Sequence, residues 1–187
     1  LRARITASTE PITRALDWSV QKVGEGPEDT WPVVGNRSAA EAAFDLAPGQ
    51  YVVRAAYGAI KAAKVLLVQP KQELDVTFIL NGGGLRIVPA LAFLDAPEGI
   101  GAKHWVFEAT PDNQGNRRLF AETSRPGEVV RLNAGTYHLV SRFGDANAVV
   151  EADITVKPGM LTEVEINHKA GIVHLGFARH DTNGPPG

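Results

Sequence analysis

The sequence predicts an all-β protein built as two tandem antiparallel β-sandwiches followed by the first strand of a third repeat. Three observations lead there. Short runs of alternating apolar and polar residues recur at roughly ten-residue spacing, with Gly- and Pro-rich turns between them, as in half-buried sandwich strands. The stretch LAPGQYVVRAAYG, residues 46–58, returns as LNAGTYHLVSRFG, residues 132–144. No segment sustains the apolar period of a helix.

Taken in order, Leu1, Ala3 and Ile5 share one strand face and Arg2 and Arg4 the other. Leu16, Trp18 and Val20 point inward from the next strand, with Asp17 and Ser19 outward. Residues 24–37, rich in Gly, Pro and charge, read as a loop. Ser38 and Glu41 form a capping-box signal worth at most one helical turn, and a strand is expected from about Ala43. After the Pro48-Gly49 turn, Tyr51, Val53, Ala55 and Tyr57 line one face of a core strand that ends at Gly58. Residues 62–68 form the next strand and residues 74–80 the last, with Leu74, Val76, Phe78 and Leu80 inward.

The pattern then restarts. Leu85 and Ile87 stand where Leu1 and Ala3 stood, and Trp105 and Phe107 align with Trp18 and Val20, 87 residues on. Leu132, Tyr137, Leu139 and Phe143 repeat Leu46, Tyr51, Val53 and Tyr57 at an offset of 86, and Val164 and Ile166 repeat Val76 and Phe78 at 88. A nearly constant offset across separate landmarks is the signature of an internal repeat. The expected organisation is repeat 1 over 1–81, a glycine linker at 82–84, repeat 2 over 85–171, and residues 172–187 as a truncated third repeat and tail. Val173, Leu175 and Phe177 alternate like a first strand, so the chain reads as a piece of a longer protein.

Composition narrows the function classes. Residues 1–84 carry nine basic and nine acidic side chains, and residues 85–171 carry nine and eleven, within a formal net charge of −2. Neither half has the basic excess that a nucleic-acid backbone or an anionic membrane needs. The absence of cysteine excludes disulfides, thiol nucleophiles and cysteine-ligated metal. No apolar run is long enough to span a bilayer as a helix.

The Leu-x-x-Gly-x-Tyr-x-Val arrangement of residues 46–53 resembles the prealbumin-like, Ig-like sandwiches, among them carboxypeptidase regulatory-domain-like and collagen-adhesin B-type modules. The second copy, residues 135–154, resembles repeat units of uncharacterised bacterial exported or envelope proteins. The resemblance implies a periplasmic, envelope-anchored or secreted location. Adhesin modules of this kind can carry a Lys–Asn isopeptide crosslink, but the first strands here offer Arg2, Arg4 and Arg86 and no lysine, so that chemistry is not expected.

Other candidates have bland competitors. All five histidines, His104, His138, His168, His174 and His180, lie in the second half. Alternation sets His104 and His138 opposite Trp105 and Tyr137, on a solvent face, and no pair shows zinc-ligand spacing. Glu151/Asp153 and Glu163/Glu165 share strand faces at i, i+2, as in a calcium or acid–base site, but equally as on any solvated strand. Gly82-Gly83-Gly84 precedes no helix and so cannot cradle a phosphate as a P-loop does. Asn36-Arg37-Ser38 is a glycosylation sequon. Trp31, in the 24–37 loop, could stack a sugar or fold back onto its own sheet edge, while the matching loop, residues 110–127, holds Arg117 and Arg118 instead.

No catalytic, cofactor-binding or metal-binding residues are assigned. The expected function is a non-catalytic structural or interaction module, a spacer working with neighbouring repeats of the parent chain. The alternative is a ligand-binding module, for a protein or a carbohydrate, that uses the 24–37 and 110–127 loops.

Overall fold

The computed structural model describes residues 1–89, 101–125, 127–144 and 148–168. Thirteen strands and one 3-10 turn make up the regular structure among them. Residues 172–178 with His174, and the tail with His180, lie outside the described residues.

In the first half, β1 (Arg2–Arg4), β2 (Leu16–Lys22), β3 (Val33–Ala39), β4 (Gly49–Tyr57), β5 (Ile60–Val68) and β6 (Thr77–Ile79) form two sheets. One is antiparallel with order β3-β2-β4-β5; the other pairs β1 with β6 in parallel. Leu1 extends the second sheet by exchanging bonds with Ala42: its amine donates to the Ala42 carbonyl at 2.8 Å and its carbonyl accepts from the Ala42 N–H at 3.0 Å. Between the sheets lie Leu16, Trp18, Val20, Tyr51, Val53, Ala55, Phe78 and Leu80, all buried. Trp18 and Phe78 meet edge to face at 5.3 Å.

The second half comprises β7 (Gly82–Pro89), β8 (Ala102–Glu108), β9 (Leu119–Thr123), β10 (Val129–Asn133), β11 (Gly135–Phe143), β12 (Ala148–Val156) and β13 (Leu161–Ile166). Its antiparallel sheet runs β9-β8-β11-β12, and its second sheet runs β10-β7-β13, with β7 and β13 parallel. Replacing β2, β3, β4 and β5 by β8, β9, β11 and β12 turns one four-stranded order into the other. The parallel pair β1–β6 likewise has its counterpart in β7–β13.

The duplicated motif does the same local work twice. The Tyr51 hydroxyl donates to the Ala47 carbonyl at 2.7 Å and the Tyr137 hydroxyl to the Asn133 carbonyl at 2.8 Å. Each ring is buried while its polar tip is satisfied four residues upstream, which fixes the entry into the central strand.

Five expected boundaries need correction. Residues 33–37 are strand rather than loop, as are residues 119–123 of the expected 110–127 loop, and the last strand of the first half is Thr77–Ile79 rather than 74–80. As an edge strand, Val33–Ala39 shows no clean alternation, and Gly35 is small because the Phe44 ring lies where a side chain would be. The strand expected from Ala43 is absent; residues 43–48 carry no strand pairing. Residues 82–84 are no loose linker but the start of β7, paired with Asn133, Leu132 and Arg131. Their glycines serve close approach: a Cβ on Gly82 would lie 2.4 Å from Ile60 Cδ1, and one on Gly83 only 2.3 Å from the Lys157 carbonyl oxygen.

Candidate functional site

The second half departs from the first at the centre of its four-stranded sheet. Paired residues on antiparallel strands face the same way. Tyr137 and Leu139 point into the core, so Val106, opposite Leu139, and His104, opposite Ser141, must point inward too. Trp105 therefore faces outward and is only half-buried, and His104 is 4% exposed. This reverses the expected placement of both residues. In the first half Trp18 lies opposite Ala55. Since Ala55 and Ser141 are 86 positions apart, the counterpart of Trp18 is His104, at the same offset as the tyrosine motif.

His168, expected at a turn between domains, is buried as well. It stands two residues past Ile166, as buried Leu80 stands two past Phe78. Ser141 Oγ lies 2.8 Å from His104 Nδ1 and 2.8 Å from His168 Nε2. Where the first half has Trp18, Ala55 and Leu80, the second has a buried His–Ser–His chain. Burial pulls the His104 pKa down to about 4, with a smaller push from the charge of His168. Burial also lowers the His168 pKa, partly offset by a hydrogen bond to the Ser141 backbone, which favours the charged ring. Ser141 is fully enclosed, so its hydroxyl cannot reach a substrate.

On the outer face the structure sets a histidine beside the Glu151/Asp153 carboxylate pair. His138 stands across from Asp153, its Nδ1 2.9 Å from Asp153 Oδ1 and its Nε2 3.4 Å from Glu151 Oε2. The carboxylates lie on opposite edges of the ring and so do not converge on a shared point. Among the described residues no group of three His, Asp or Glu side chains is placed to hold a metal ion. The Glu163 carboxylate is taken by Arg86 at 2.7 Å. Trp105 and Phe107 share this outer face, with Arg142 over the Trp105 ring at 5.9 Å.

Trp31 folds back on its own loop, its indole N–H donating to the Gly26 carbonyl at 3.2 Å, and Gln21 bonds its carbonyl at 3.1 Å. In the 110–127 segment, Arg117 is tied to the Glu108 and Ala109 carbonyls and Arg118 covers Phe120. The two segments do not share a cleft. Val23 bonds Gln50 at one end of β4, whereas Arg118, Leu119 and Phe120 line a hollow with Gly58 and Ala59 at the other. Nine residues of strand, roughly 30 Å, separate them.

Sequence reading missed Asn133, the residue that joins the halves. Its amide exchanges two 3.0 Å bonds with the backbone of Lys61 and donates to the Leu80 carbonyl at 3.2 Å. Ala134 N–H reaches Asn81, and Arg131 lies over the Tyr57 ring at 5.1 Å. The available signal was LNAGTY against LAPGQY, where an amide replaces Ala47.

Comparison with protein-family models, with curated proteins and with solved structures finds no match for this chain. No helix among the described residues is long and apolar enough to cross a membrane. The class defined by the fold is an all-β protein of several sheets with sandwich packing.

Proposed function

We propose that this chain is a non-catalytic structural and interaction module: two tandem prealbumin-like repeats acting as a spacer in a bacterial envelope or exported protein. The observation that carries the reading is the junction. Asn133 docks on backbone groups of the first half like a residue of an added strand, and Gly82 sits beneath Ile60 with no room for a side chain. A junction bonded through backbone groups resists bending more than one held by exposed ion pairs. The matching order of the two four-stranded sheets adds support, since repeats joined by a defined contact transmit a fixed direction along a chain.

Spin labels on cysteines introduced at Gln50 and Thr155, in a chain with no native cysteine, measure a distance between the halves that changes as they bend. A single narrow distance distribution that broadens in Asn133→Ala is the expected result. A broad or bimodal distribution in the unaltered protein would rule out a rigid spacer.

A further inference from the structure

The His104–Ser141–His168 chain crosses the second sandwich. His104 and Ser141 belong to the β9-β8-β11-β12 sheet, and His168 follows β13 of the facing sheet. A serine hydroxyl has one hydrogen. It can donate to one imidazole and accept an N–H from the other, so the chain closes when the two rings are neutral with complementary protons. If both rings are protonated, both nitrogens present N–H to the same oxygen, the serine hydrogen loses its acceptor, and two cations share a dry site.

Among the described residues little stands ready to hold a charge on His104, and for His168 burial outweighs the Ser141 backbone bond that favours the charged ring. From β9, Thr123 stands opposite His104, but its hydroxyl already donates to Glu128 at 2.6 Å, and Glu128 also lies 3.8 Å from Arg125. From β7, Leu85 and Ile87 face the core while Arg86 turns out to Glu163. From β13, Ile166 faces in and Glu165 out; from β12, Ile154 and Val156 are buried. Lys103 and Arg142, the charged neighbours on β8 and β11, are exposed on the opposite face.

We propose that His104, Ser141 and His168 form an acid-sensitive latch between the two sheets of the second half, closed at neutral pH and released on acidification, while the first half stays shut. The first half has no counterpart to protonate, because Trp18, Ala55 and Leu80 fill those positions. The sign follows from burial. His104 binds its proton more weakly folded than unfolded, so the stabilisation is complete above the unfolded value of 6.5 and is lost as pH falls toward about 4.

Hydrogen exchange of the full chain at pH 7.5 and 4.5, corrected for intrinsic rates, tests this. Protection in β8, β11 and β13 should fall roughly 50- to 100-fold for one such histidine, and that in β2, β4 and β6 should hold. Equal loss in both halves, or no loss in either, would overturn the latch. The variant His104→Phe/Ser141→Ala/His168→Leu should keep its protection at pH 4.5; a variant that still loses it there assigns the effect to other groups and sinks the proposal. Ring resonances of the unaltered protein decide the matter without any variant. The two imidazoles should stay neutral until protection is lost, and their joint protonation in a fully protected protein would refute the latch.

Discussion

The two halves share one four-stranded sheet order and fill it with opposite chemistry. In the first, Trp18 is inside against Phe78 and Ser19 is outside. In the second, His104 is inside against Ser141 and Trp105 is outside. What persists between them is the Tyr51 and Tyr137 hydroxyl bond to the carbonyl four residues back, together with the register around the central strand. The comparison teaches that the turn and register define this fold, while the residue at the centre of the sheet can pass from a large ring to a polar chain. A one-residue slip in reading a strand exchanges its faces, and here it exchanges a core anchor for a surface ring.

The largest expected effect breaks the apparent equivalence of the two tryptophans. Trp18→Ala removes a fully buried ring and should cost about 3–5 kcal/mol, enough to unfold the first half or nearly so. Trp105→Ala, on the outer face, should cost below about 1 kcal/mol. Denaturant midpoints of the two variants measure the contrast, and similar losses would restore the inward reading of Trp105.

Gly83→Ala comes next. The added methyl would meet the Lys157 carbonyl, which is backbone and cannot swing away, so about 1–3 kcal/mol should be lost from the second half. Gly101→Ala, where nothing lies within 4 Å, serves as its control. If both glycines tolerate alanine equally, residues 82–84 are the flexible linker that their composition suggested.

The smallest effect sharpens what the halves share. Tyr51→Phe and Tyr137→Phe each remove one hydroxyl bond to a carbonyl and should each cost about 1 kcal/mol by chemical denaturation. Clearly unequal losses would mean that the motif supports one half only.

Local alternation by itself determined the all-β class, the inward phase of Leu16, Trp18 and Val20, and the core strands around Tyr51 and Tyr137. Each of these rests on contacts within a strand or its turn, where residue spacing and side-chain direction are locked together. It could not determine the face of β8, because Trp105, Val106 and Phe107 are consecutive apolar residues and suit either phase. Only pairing with β11 chose, by setting Val106 against Leu139 and His104 against Ser141. The same limit hid the junction and the glycine run. Asn133 bonds Lys61 across 72 residues, and Gly83 is shaped by the Lys157 carbonyl, so the reason for each residue lies on a segment far from it in the chain. The tertiary structure decided these positions because burial and hydrogen bonding are satisfied by whatever packs alongside, and sequence distance places no bound on that.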